Sequence, residues 1–354
     1  MLTTTATELP RLMKCIGSRL MPKALPDDYN TEQRDEGNAA HWLAQQLFNG
    51  EAVGVGSKAY NGYIITDEMM EHVREYLGAL DTGQMEIETT FAGEGWEVRG
   101  RADHLVYRDG VLTVDDFKYG RRLVEPDENW TLLAHAIGWT IRNGIQPDRI
   151  VLRIHQPRAY HPKGTMRAWS CSDYELLEHH GDIAHRLSNP TSELVTSLSQ
   201  CAKCHALATC PAARTAGMNA IDAAQDVAFV DDLPNDALAR EYEMLDQAAK
   251  MVEMVRDARK ELMEHRLGRG QMIPGWHLKQ RLGQRAWPAW ATGRTLSAMA
   301  GVDLTKDGIV TPAEAERRGV PKKVLESLTT RPSLGVKLER LDADAVGRRL
   351  FGEK

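Results

Sequence analysis

Residues 97–119 read EVRGRADHLVYRDGVLTVDDFKY. Two runs rich in Val, Leu, Tyr and Phe flank Asp109-Gly110, a dipeptide whose preference for positive φ suits a two-residue type I′ turn, so the stretch is expected to form a β-hairpin. With Arg108 opposite Val111, the register sets Asp103 opposite Asp116 and puts Lys118 two residues along on the same face. Facing carboxylates on an antiparallel pair lie about 4.5–5.5 Å apart at Cβ and repel unless a cation lies between them. Oxygen ligands favour Mg²⁺ or Mn²⁺, which lower the pKa of bound water and neutralise charge on a phosphodiester under attack. An isolated D-x-K is ordinarily a solvated strand end, and it is the spacing around the turn that points to chemistry. Asp115, the nearest competitor to Asp116, falls on the other face with Phe117, an assignment that one bulge reverses.

These residues resemble the core of the PD-(D/E)XK nuclease superfamily, in particular its RecB-like branch: Gly100-Arg101-Ala102-Asp103, a hairpin, then Asp116-Phe117-Lys118-Tyr119-Gly120. The branch also carries Gly-x-x-x-His on an upstream helix. Here Gly37-Asn38-Ala39-Ala40-His41 lies in TEQRDEGNAAHWLAQQLF, a helix with Asn30 and Gln33 as a capping-box pair and Trp42, Leu43 and Leu47 on an apolar side. The resemblance implies an α/β fold with a central mixed β-sheet flanked by helices. It also implies a metal held by His41, Asp103, Asp116 and the Phe117 backbone carbonyl, with Lys118 acting on the attacking water.

The five cysteines form a second pattern. The N-terminus has no apolar signal segment and no run reaches membrane-spanning length, so the chain is expected to be cytoplasmic, without disulfides and without a membrane partner. Cys201, Cys204 and Cys210 then offer three soft ligands in ten residues, and a fourth must come from elsewhere. Iron-sulfur nucleases of the RecB-like branch, the AddB type and the CRISPR adaptation nuclease among them, draw one cysteine from before the core and three from after it. That resemblance implies a [4Fe–4S] cluster on Cys15, Cys201, Cys204 and Cys210, acting as a structural staple. Zinc is the alternative metal, with His205 as an alternative ligand. Cys171 has no partner spacing and is expected to be inert.

The chain is similar further to a phage and prophage family of RecB-like proteins. The shared landmarks are Cys15-Ile16-Gly17-Ser18, a strand ending in Gln156-Pro157-Arg158, and, beyond a long helix, Pro274-Gly275-Trp276 leading to Arg285-Ala286-Trp287. Where that family has Asn-Pro-Gln-Leu and a Tyr, this chain has Asn129-Trp130-Thr131-Leu132 and His135. Thr131 and His135 therefore stand where relatives contact nucleic acid, as candidate contacts of altered type.

Residues 1–215 are expected to form the nuclease domain, 216–234 a linker, 235–267 one long helix, and 268–354 a basic, tryptophan-bearing region. On the long helix Leu238, Leu245, Ala248, Val252, Val255 and Leu262 form a heptad-like stripe, suited to packing on its own domain or on a second chain. The net charge of −6 excludes a global basic field that would draw the chain to DNA. From Gln271 to Lys354, however, 15 Lys and Arg face 9 Asp and Glu, which leaves −12 for the remainder. Lys279, Arg281, Arg285 and Arg294 among Trp276, Trp287 and Trp290 suit phosphate contact and stacking, or a solvated face over a small tryptophan core. Closer to the hairpin, Arg121, Arg122, Arg153 and Arg158 are the alternative phosphate contacts. Two functions stay open: a metal-dependent DNA exonuclease in phage-type recombination or replication, working beside phage proteins on DNA ends, or a non-catalytic DNA-binding or assembly component.

Overall fold

The computed structural model describes residues 2–26, 32–225, 234–288, 291–305 and 309–340. The chain divides into two compact units, Met1–Arg256 and Asp257–Lys354. Asn30, Trp290 and residues 226–233 of the expected linker lie outside the described residues.

The first unit is built on a six-stranded mixed sheet made of β1 (Leu2–Thr5), β2 (Gln84–Gly93), β3 (Trp96–Arg108), β4 (Val111–Phe117), β5 (Arg149–His155) and β6 (Met166–Ser172). The long β3 pairs antiparallel with β2 along one edge. Along its other edge it pairs with β1, in parallel, at one end and with β4 at the other. Strand β4 continues in parallel to β5, and β6 closes the far edge antiparallel. The parallel β4–β5 step requires a crossover, supplied by helix α4 (Trp130–Asn143). Asn129 caps it by accepting from the Thr131 and Leu132 N–H groups, and Gly144 ends it in the left-handed region.

Helices cover both faces. Helices α1 (Leu9–Lys14), α4 and α5 (Asp173–Ser188) lie over a core that takes Leu112 and Val114 from β4 and Ile150, Leu152 and Ile154 from β5. Helices α2 (Glu32–Phe48) and α3 (Asp67–Gly78) build a second core with Phe117 and Tyr119. The mixed α/β sheet flanked by helices is the fold class that the family resemblance implies. A short α6 (Leu198–Cys201) and α7 (Pro211–Gln225) carry the cysteine segment, followed by α8 (Asn235–Gly268). The stripe expected on α8 is only partly covered: Val255 is buried, whereas Leu238 and Leu245 are exposed.

The second unit has its own small core. Helices α9 (Gly293–Ala300), α10 (Pro312–Arg317) and α11 (Lys322–Leu328) bury Leu296, Ala315, Leu325 and Leu328, and Trp287 packs against them while its Nε1–H donates to the Val310 carbonyl. Strands β7 (Trp276–Leu282) and β8 (Ser333–Arg340) form a two-stranded antiparallel ribbon.

Candidate active site

The hairpin forms in the expected register. Arg108 faces Val111, and the turn residues Asp109 and Gly110 have φ of 49° and 79°, as a type I′ turn requires. The ladder runs to His104 opposite Asp115 and stops one pair before Asp103 and Asp116. The physical reason lies in the alternation of β3. Ala102 and Leu105 both enter the first core although they are three residues apart, so the period of two breaks at Asp103 and His104. Strand β2 breaks at the same level: Met85 packs on the second core, Ile87 on the first, and Glu86 between them has φ of 54°.

This double break turns Asp103 toward helix α2. Its Oδ1 lies 3.4 Å from His41 Nδ1, and its Oδ2 accepts from the Phe117 N–H at 2.8 Å. Glu86 stands across from it, and one ligand atom each from His41, Glu86 and Asp103 falls within 4.8 Å of the others. Glu86 was not among the residues singled out from sequence. Nothing in the alternating run QMEIETTF separates it from Glu88, and only the paired break in β2 and β3 does.

Asp116 is buried. Its Oδ1 accepts from Lys118 Nζ at 2.7 Å. Its Oδ2 lies 2.6 Å from the same nitrogen, so the ammonium faces both oxygens of the buried carboxylate. Burial, and then the Asp103 charge, hold the Asp116 carboxyl above its usual value against the pull of Lys118. For Asp103 burial acts upward, but His41, Lys118 and the Phe117 N–H outweigh it and leave the carboxyl well below the ordinary range. Burial acts downward on Lys118, yet Asp116 and Asp103 raise it, so the amine is an ammonium at neutral pH. His41 is likewise raised, by Asp103 against burial. The donor set fits a hard divalent cation: carboxylate oxygens beside an imidazole nitrogen. The ring of Phe117 packs edge-on against His41 and stacks on Tyr76.

Asp115 occupies the opposite face with Phe117, as alternation required, and is fully buried. It accepts from His104 Nδ1 at 2.9 Å, His155 Nε2 at 2.8 Å and Arg153 Nη2 at 3.0 Å. Arg153, a candidate phosphate contact from sequence, is thus committed inward. Arg158 is committed in the same way: it pairs with Glu36 at 2.8 Å and lies over the Tyr119 ring. His135 is also corrected. It is buried, hydrogen-bonds Thr89 Oγ1 at 2.9 Å and sits against Gly100, where a Cβ would come within 2.6 Å of it, so it is withdrawn from any strand outside. Burial lowers its pKa to about 4. Thr131 is half-buried in the first turn of α4. Arg121 and Arg122 are exposed. In the second unit Lys279 pairs with Glu339 at 3.0 Å and Arg285 pairs with Glu316, while Arg281 is exposed.

The structure brings Cys15, Cys201, Cys204 and Cys210 to the lining of one cavity. Gly17 makes this possible: a Cβ there would lie 2.3 Å from the Glu193 carbonyl oxygen, so the chain at 192–193 can pass only a glycine. Buried Arg11 donates to Ser18 Oγ, and that hydroxyl donates to the Cys15 carbonyl. The Val195 N–H donates to Cys15 Sγ and the Ser197 N–H to Cys201 Sγ, each at 3.3 Å. Burial raises the thiol pKa of Cys201 and Cys204, and the other cysteines add to the rise. No three of the described cysteine sulfurs come within 4.8 Å of one another. His205 gives its Nε2 to the Met21 carbonyl and is absent from the cavity lining. Cys171 is buried in the first core, and burial pushes its thiol up to about 12.

The family described as "protein of unknown function (DUF2800)" matches residues 5–333. No curated protein matches the chain. Among solved structures, SSO0001 is similar at 16% identity and a TM-score of 0.27, over 60% of this chain and 87% of that one. A protein from Eubacterium rectale described as a "Putative exonuclease" is similar at 12% identity and a TM-score of 0.32, over 52% of this chain and 78% of that one. No helix among the described residues is long and apolar enough to cross a membrane.

Proposed function

We propose that this chain, which belongs to the DUF2800 family, is a divalent-metal-dependent nuclease that hydrolyses phosphodiester bonds of DNA. The observation that carries the reading is the convergence of His41, Glu86 and Asp103, one ligand atom of each within 4.8 Å of the others, with Asp116 and Lys118 paired at the end of the neighbouring strand. His41, Asp103 and Asp116, with Glu86 as a fourth candidate, would hold Mg²⁺ or Mn²⁺. Bound there, the ion supplies a water of lowered pKa and neutralises charge on the phosphodiester. Lys118, kept protonated by its two aspartates, holds Asp116 with one proton. It has further N–H groups to orient the attacking water and to meet negative charge as it develops on the phosphoryl oxygens.

We read Cys15, Cys201, Cys204 and Cys210, which line one cavity with backbone N–H groups aimed at two of their sulfurs, as the ligands of a [4Fe–4S] cluster, zinc being the alternative metal. Its contribution is a cross-link between the start of the chain and the segment after the core. Action from DNA ends, in a phage recombination or replication setting, is the biological form we propose.

The test uses anaerobically purified protein, end-labelled single-stranded and duplex DNA, and Mg²⁺ or Mn²⁺. Wild type cleaves. Asp116→Ala abolishes cleavage and weakens Mn²⁺ binding, whereas Lys118→Ala keeps Mn²⁺ binding and loses most of the rate. Cleavage that survives both substitutions overturns the assignment.

A further inference from the structure

The segment that follows Lys118 and the cysteine loop meet at one place. Arg122 Nη2 donates to the Ser199 carbonyl at 3.2 Å, just before Cys201. Gln156, fully buried, fixes the other side of this tie. Its Nε2 donates to the carbonyls of Gly120 and Arg122 at 2.8 and 2.7 Å, and its Oε1 accepts from the Val124 N–H and from Arg167. All of its hydrogen-bonding capacity is used, so the carbonyls at 120 and 122 are held toward the core. The side chains of Arg121 and Arg122 are left in solvent.

Lys203, between Cys201 and Cys204, is exposed and follows Ser199, the residue that Arg122 holds, by four positions. Partial burial, with the Arg122 and Lys118 charges, lowers the pKa of its amine against the pull of Asp116. Among the described residues no carboxylate pairs with Arg121, Arg122 or Lys203, whereas Arg153 and Arg158 are both neutralised by the protein's own acids. Cations gathered without counter-charge repel one another, and a polyanion placed among them removes that cost.

We propose that Lys203 and Arg122 bind a backbone phosphate of the DNA strand next to the one held at Asp116 and Lys118, so that the cysteine loop supplies part of the substrate-binding surface. The proposal rests on the nuclease reading and names how that site takes its strand. It also gives the cysteine segment a second role: a displaced loop takes away a phosphate-binding cation as well as a cross-link.

The test is fluorescence anisotropy of a labelled single-stranded oligonucleotide with the full-length protein, without metal, over a series of salt concentrations. In Lys203→Gln and in Arg122→Gln, the absence of one cation–phosphate pair lowers the slope of log K against log salt by about 0.7 and weakens binding about three- to tenfold at low salt. Lys203→Arg keeps both, and Lys203→Gln keeps the wild-type circular dichroism, melting temperature and Mn²⁺ affinity. Wild-type affinity and slope in Lys203→Gln, in protein that still cleaves DNA, overturn the proposal and leave the nuclease reading standing. A Lys203-dependent slope in a wild type that hydrolyses nothing supports the phosphate contact and overturns the nuclease reading. A wild type that binds no DNA overturns both.

Discussion

Asp115 and Asp116 are neighbours in the chain, yet their surroundings assign them opposite tasks. Asp115 is enclosed by three hydrogen-bonding partners, and their donors outweigh burial and hold its carboxyl well below the ordinary carboxylate range. Removing it leaves His104 and His155 buried without their acceptor and Arg153 with only Asp81, so Asp115→Ala is expected to cost about 3–5 kcal/mol in urea unfolding. Asp116→Ala removes the partner of Lys118 but also the burial of a carboxylate and its repulsion with Asp103, effects that oppose one another, and its stability should stay near wild type. Equal losses in the two variants would contradict this division. His135 supplies a pH dependence of definite sign. Its pKa in the folded state is lowered from 6.5 to about 4, so the unfolded chain binds the proton more readily and stability is lost as pH falls through that window. The loss amounts to about 3 kcal/mol between pH 6.5 and 4, and His135→Gln should flatten the curve there. An unchanged curve in that variant would move the dependence to another group.

At the level of elements, two glycines hold the geometry on which the site depends. Gly110 closes the hairpin with φ of 79°, and a Cβ there would come within 2.2 Å of Asp148 Oδ2. Gly17 lets the chain at 192–193 pass against the segment bearing Cys15. Gly110→Ala should cost about 1–2 kcal/mol for the left-handed backbone alone. Gly17→Ala meets backbone oxygen, which cannot rotate away, and should cost about 1–3 kcal/mol. It should also expose Cys15 to a thiol reagent, while Gly110→Ala should not. The hairpin was readable because turn chemistry and alternation are local. The break at Asp103 and Glu86 was not, since a shift of period in two paired strands appears only when their register is known.

For the whole molecule, the two units have separate cores, and the second is small, built around Leu296, Leu304 and Leu325. Calorimetry should resolve two transitions, and Leu325→Ala should lower only one, by about 2–5 kcal/mol. One transition that shifts as a whole would contradict independent cores. The basic residues of the second unit looked like a phosphate surface in sequence, but Lys279 and Arg285 are paired with acids that lie 60 and 31 residues away. Net charge counts residues, whereas a binding surface depends on which charges remain unpaired after folding. By itself the sequence determined the hairpin, the mixed α/β class, the carboxylate and lysine positions and the cysteine spacing, because each follows from local periodicity, turn preference or motif. Only the tertiary structure decided that Glu86 faces Asp103, that His135 is buried, that Arg153 and Arg158 turn inward, and that Arg122 reaches the cysteine loop at Ser199. Each of these depends on segments far apart in the chain being brought into contact, and no local pattern records which segments those are.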